Sequence, residues 1–95
     1  MSNFGVVNKF PGGTAEQYDR TIAVVHPGEG LPAGQTYHAA GPSEDGWVVV
    51  AIWDSRESWQ TFRNETLIPG LQGVEDGLPA PPEETPFDIH RWVTG

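Results

Sequence analysis

The sequence predicts an α+β chain whose four-stranded antiparallel sheet carries two helices on one face, in the order β-α-β-β-α-β, the split βαβ arrangement. Three observations carry this expectation. Gly46–Phe62, GWVVVAIWDSRESWQTF, passes from an uninterrupted apolar run straight into a capped helical pattern with aromatics three residues apart. Two such strand-then-helix patterns occur, the other at Phe4–Val25, and a further strand pattern lies at each of 35–40 and 87–93. At 95 residues, 1–95 has room for one domain with one modest core.

The elements follow in order. Phe4–Phe10 reads as the first strand, with Phe4, Val6, Asn8 and Phe10 on one face and Gly5, Val7 and Lys9 on the other. Pro11-Gly12-Gly13 breaks it, and Thr14 with Gln17 three residues later fits a capping box that opens the first helix. Its apolar stripe is Tyr18, Ile22 and Val25, and His26-Pro27-Gly28 ends it. Residues 27–34, PGEGLPAG, form a loop by composition. Gln35–Ala40 is the second strand, with Thr36, His38 and Ala40 on one side and Tyr37 and Ala39 on the other. Pro42–Gly46 supplies hairpin chemistry through Asp45-Gly46. Trp47–Asp54 is the third strand, and Asp54 or Ser55 caps a helix that turns Trp59 and Phe62 inward. Pro69-Gly70 should kink or end that helix, with a short turn at Leu71–Glu75. Residues 77–86, GLPAPPEETP, hold too much proline for a regular element, and Phe87–Val93 closes the sheet, with Asp88, His90 and Trp92 on one face.

The third strand makes a demand beyond one chain. Trp47, Val49, Ala51 and Trp53 alternate with Val48, Val50 and Ile52, so both of its faces are apolar and both need cover. The two helices cover one face. A second copy of the same sheet would cover the other, at roughly 25 cal/mol per Å² of apolar surface removed from water, so an isologous homodimer is expected.

Composition excludes several functions. The chain holds 13 Asp and Glu against 5 Lys and Arg, a formal charge of −8 that nucleic acid and anionic membranes would repel. With no cysteine there is no disulfide, thiolate metal site or thiol nucleophile. The start MSNFGVVNKF lacks the basic and apolar regions of a secretory signal, so the expected location is cytoplasmic. His26, His38 and His90 have no metal-ligand spacing, which argues against a metal site. Gly28-x-Gly30-x-x-x-Gly34 is one residue too long for a dinucleotide fingerprint and follows a helix rather than a strand, and no serine sits in a nucleophile elbow.

Trp53-Asp54-Ser55-Arg56-Glu57-Ser58-Trp59, preceded by an apolar strand and followed by Phe62, resembles the strand-to-helix junction of the dimeric α+β barrel proteins, among them the antibiotic-biosynthesis-monooxygenase-like domains. The order of elements and the length match across the chain, as does Phe10-Pro11-Gly12-Gly13-Thr14 before the first helix. The resemblance implies ferredoxin-like subunits paired sheet to sheet, each with a pocket between its sheet and helices. The family it resembles includes cofactor-independent oxygenases of aromatic polyketides, haem-degrading enzymes and many domains of unknown role. The haem-degrading members resemble this chain at Asn8 and carry tryptophan where Phe62 stands. They also need an axial histidine that Glu65–Gly77 lacks, so no cofactor is expected.

The residues that could carry chemistry are polar intruders on strands. His26, at a helix C-terminus, is explained by capping. His38 and His90 are candidate general bases, and Asn8, on an otherwise apolar face, is a candidate to steady a developing oxyanion. Each also has a structural reading, as a buried polar group satisfied by protein or water. Tyr37, Trp53, Phe62 and Trp92 are the candidate substrate-contacting aromatics, although core packing explains Tyr37 and Trp53 at less cost. Two functions compete on these residues. One is a small-molecule pocket enzyme resembling the cofactor-independent monooxygenases of aromatic or polyketide substrates; the other is a non-catalytic dimeric domain that binds a ligand or serves assembly.

Overall fold

The computed structural model describes residues 3–26, 28, 30–78 and 81–93. Pro27 and Glu29 of the loop expected at 27–34, and Pro79 and Ala80 of the proline-rich stretch, lie outside the described residues. The elements are β1 (Phe4–Pro11), α1 (Ala15–Val25), β2 (Gln35–Ser43), β3 (Gly46–Trp53), α2 (Arg56–Phe62), a π-helical turn (Arg63–Leu67), α3 (Ile68–Gly73) and β4 (Glu83–Asp88). The three helical pieces from Arg56 to Gly73 run on without a break, so the order is β-α-β-β-α-β and the fold is ferredoxin-like. The antiparallel sheet has the order β2-β3-β1-β4.

The expected alternation sets the core. Phe4, Val6, Asn8 and Phe10 on β1, with Trp47, Val49, Ala51 and Trp53 on β3, are all buried under the helices. At one end Phe10, Trp47 and Val49 pack with Val25, Leu67, Leu71 and Leu78. At the other, Phe4, Val6, Ala51 and Trp53 pack with Trp59. Thr14 makes the full capping box with Gln17 expected of it, and Ser55 caps α2 by accepting the Ser58 N–H. No described helix is long and apolar enough to cross a membrane.

Two proline expectations meet the structure. Of the two outcomes expected at Pro69-Gly70, a kink or an end, the helix does not end, since α3 runs on to Gly73. The Ile68 N–H bonds back to the Arg63 carbonyl, five residues earlier, and this widened turn lets Pro69 enter at the start of α3, where its missing N–H costs little. The last strand is not Phe87–Val93 but Glu83–Asp88, with Pro86 inside it. It lies at the edge of the sheet beyond β1, and an edge strand tolerates a residue that cannot donate outward.

The opposite sheet face is bare. Val7 lies between Val50 and Thr85, and Gly5 between Ile52 and Phe87, with Tyr37 beyond Ile52 and Ala39 beyond Val50. The Phe87 ring lies directly over Gly5, where an added Cβ would stand 2.4 Å from Cζ, so glycine makes room for the ring. Tyr37 and Phe87 stay 43% and 44% exposed on this face, which is therefore an apolar surface left uncovered by the described residues.

Candidate active site

The sheet register, through one irregularity, builds the site. Gln35 pairs with Trp53 but Tyr37 pairs with Ile52, so Thr36 is an extra residue opposite a single step of β3. Without this bulge, residues 35 and 38 would face opposite ways. With it, Gln35 and His38 both point to the helix-covered face, opposite Trp53 and Ala51. Thr36 turns outward, and its hydroxyl donates to the Ile52 carbonyl at 3.2 Å. Gly34, at φ +88°, brings the preceding loop against β3: the Asp54 N–H donates to its carbonyl at 2.8 Å, and a Cβ there would meet Ser58 at 2.6 Å.

The paired residues form a hydrogen-bonded chain. The His38 Nδ1–H donates to Gln35 Oε1 at 2.8 Å, and the Tyr18 hydroxyl, from α1, donates to His38 Nε2. A Gln oxygen only accepts, so the bond at Nδ1 fixes the tautomer and leaves Nε2 as the acceptor. Burial, with the His26 ring beside it, pushes His38 down to about 4. Burial also lowers His26, and burial with the charge of Asp19 raises Tyr18. At neutral pH the chain is therefore phenol, neutral imidazole and amide.

These groups line a cavity between sheet and helices together with Asn8, Trp53, Trp59 and Phe62. Its volume is about 40 Å³, room for a few waters, so an aromatic ring enters only if side chains move aside. Asn8 is 9% exposed, and its Oδ1 has no hydrogen-bond partner among the described residues. Nor do the indole N–H groups of Trp53 and Trp59. A buried polar atom without a partner costs about 1–3 kcal/mol, and three such atoms belong to residues lining this one cavity.

The cavity brings together Asn8, His38, Trp53 and Phe62 from the expected site. His90 is placed elsewhere: it lies beyond the end of β4, exposed, and does not line the cavity. Tyr37 sits on the bare sheet face and Trp92 is 39% exposed past the last strand, both outside the cavity. The reason is the strand shift, since ending β4 at Asp88 removes His90 and Trp92 from the sheet. Three contributors were not anticipated. Tyr18 reads in sequence as an ordinary stripe residue, Gln35 as the start of a strand, and His26 as a cap. His26 is the C-cap of α1 and also lays its ring edge-on to His38, with centroids 4.9 Å apart, and against Phe62 at 6.1 Å. A histidine at the end of a helix, four residues past Ile22 on the inward stripe, was the available signal.

No protein-family model matches the chain, and no curated protein matches it in sequence. Solved structures do match in fold. An antibiotic biosynthesis monooxygenase from Chloroflexus aurantiacus superposes with a TM-score of 0.65 at 18% identity, over 98% of both chains. The ActVA-Orf6 monooxygenase of Streptomyces coelicolor, solved with the ligand nanaomycin D, gives 0.59 at 20% identity over 99% of this chain and 92% of its own. A variant of SnoaB, a cofactor-independent oxygenase from Streptomyces nogalater, gives 0.61 at 16% identity over 99% and 97%. The chain has the ferredoxin-like fold of the antibiotic-biosynthesis-monooxygenase-like proteins.

Proposed function

We propose that this cavity is the active site of a cofactor-independent monooxygenase acting on a phenolic or enolic aromatic, of the polyketide type. The observation that carries the reading is the Tyr18–His38–Gln35 chain ending in a mainly apolar cavity, where Asn8 Oδ1 and the Trp53 and Trp59 indole N–H groups have no partner among the described residues. An acidic substrate proton passes to the Tyr18 oxygen as the Tyr18 proton passes to His38 Nε2, and Gln35 holds the imidazolium by its Nδ1–H. His38 is a weak base at rest. The substrate anion forming one hydroxyl away offsets this, because opposite charges about 4 Å apart at an effective dielectric near 20 attract by about 4 kcal/mol. The carbanion gives one electron to O₂, and the radical pair combines to a C–O bond. The peroxide takes the proton back through Tyr18, and loss of water from the hydroperoxide leaves a ketone. Asn8 lines the same cavity, and its side-chain N–H groups would donate to the developing substrate oxyanion.

Oxygen uptake and product formation with a panel of anthrones and phenols test the proposal, with Tyr18→Phe and His38→Gln as comparators. It fails if nothing in the panel consumes oxygen, or if both variants turn over at the original rate. A second reading is favoured by the 40 Å³ volume: a small, water-holding pocket in a non-catalytic domain. On that reading, alanine at Asn8 or His38 lowers the melting temperature and changes no turnover. The bare sheet face, with Val7, Val50 and Ile52 at its centre, supports pairing with a second copy into a dimeric barrel.

A further inference from the structure

A second, larger hollow adjoins the cavity from outside. It is an open groove of about 710 Å³ between the end of α1, residues 32–34 and the outer side of α2 with its π turn. Val25, His26 and Phe62 line both spaces, so this one layer of side chains divides them. His26 spans the layer, touching His38 within and Phe62 at its side. The groove is acidic. Asp54, Glu57 and Glu65 line it, no lysine or arginine does, and among the described residues none of the three is in an ion pair. On the inner side of the layer the cavity holds the buried, unpartnered Asn8 Oδ1.

We infer that groove and cavity are the two halves of one binding site for an elongated ligand. The aromatic end enters past His26 and Phe62, and a cationic arm, such as an amine, rests against Glu57 and Glu65. This rests on the cavity being the ligand site and adds the chemistry of the ligand's far end. The carboxylates are solvent-exposed, so each discriminates modestly and their effect is screened by salt. They would set specificity and take no part in the chemical step.

Three naphthols with the same ring and a short aminoalkyl, hydroxyalkyl or carboxyalkyl arm test the inference by titration calorimetry on the intact protein. The amine is expected to bind about tenfold more tightly than the carboxylate at low salt, with the alcohol between. Glu57→Gln with Glu65→Gln should collapse that ratio to about twofold or less, as should 0.5 M salt. Glu44→Gln with Glu83→Gln, which changes the net charge equally but lies outside the groove, should preserve it. Equal binding of the three naphthols overturns the groove assignment while leaving ring recognition by the cavity intact. A ratio that survives in the groove variant, or falls equally in the control, also overturns it. If none of the three binds, the cavity reading falls and takes this inference with it.

Discussion

Replacing Gln35 by glutamate puts a carboxylate where an amide oxygen now accepts from His38 Nδ1 at 2.8 Å. Glutamate is the same size, so the bulge and the packing of this 8%-exposed residue are kept. What changes is the charge facing the imidazole. With about 4 Å between charge centres and an effective dielectric near 20, the ion pair is worth about 4 kcal/mol. That is about three pKa units, enough to carry the imidazole from about 4 to about 7. Burial of the new carboxylate reduces the gain, and the two groups then titrate as a pair. The assay is a pH titration of the histidine Cε1–H resonances, with His38 assigned by its loss in His38→Gln. The proton should be taken up near pH 6–7 in Gln35→Glu, and the acid limb of the turnover profile should move with it. If His38 in the variant still titrates below about pH 5, Gln35 does not control it, and the relay argued from this contact is wrong.

Other outcomes follow from the same structure. Unfolded His38 takes its proton near 6.5, whereas the folded ring takes it only near 4, so the unfolded chain binds more protons between those values. Stability present above pH 6.5 is therefore lost as pH falls through that window. For a partly exposed ring the loss is about 1–2 kcal/mol, and His26 adds in the same direction; denaturant midpoints at pH 7 and 5 should fall further apart in the wild type than in His38→Gln. Thr21 donates to the Gln17 carbonyl at 2.9 Å and accepts the Leu78 N–H at 3.0 Å. The isosteric Thr21→Val orphans that buried N–H at about 1–3 kcal/mol, and the melting temperature should drop by about 5–15 °C in a thermal scan. Asn8→Leu removes an unsatisfied oxygen, so the melting temperature should hold or rise while oxygen uptake falls at least tenfold; loss of both together would make Asn8 structural. Val50→Lys places a charge at the centre of the bare sheet face, and light scattering should show half the wild-type mass if that face pairs two copies.

Most of the scaffold was legible because strong local patterns agree with their surroundings. The alternation on β1 and β3 and the capping box at Thr14 each state one outcome, and of the two caps offered for α2, Asp54 or Ser55, the structure uses Ser55. The failures sit where one residue shifts a register. Pro69 is accommodated by a five-residue hydrogen-bond step that no local propensity announces, and Pro86 is tolerated because β4 turns out to be an edge. In the site, Asn8 and His38 were recognisable as polar residues on apolar faces. Tyr18 and Gln35 were not, since their importance comes from what stands opposite them in space. His90 was placed on a strand by an alternation that runs past the strand's true end at Asp88.

Thr36 contributes only a hydroxyl to the Ile52 carbonyl, yet its presence is what turns Gln35 inward. The relay thus depends on how many residues separate Gln35 from His38 as much as on which residues they are. Deleting Thr36 would break the chain of proton partners without touching any of its members, as thoroughly as mutating one of them. In descent, a single-codon insertion or loss at this junction would join or separate Gln35 and His38 within an otherwise unchanged sheet. At 16–20% identity, aligning this chain with proteins of the same fold column by column without allowing for that extra residue would set Gln35 against positions that face the opposite side of the sheet.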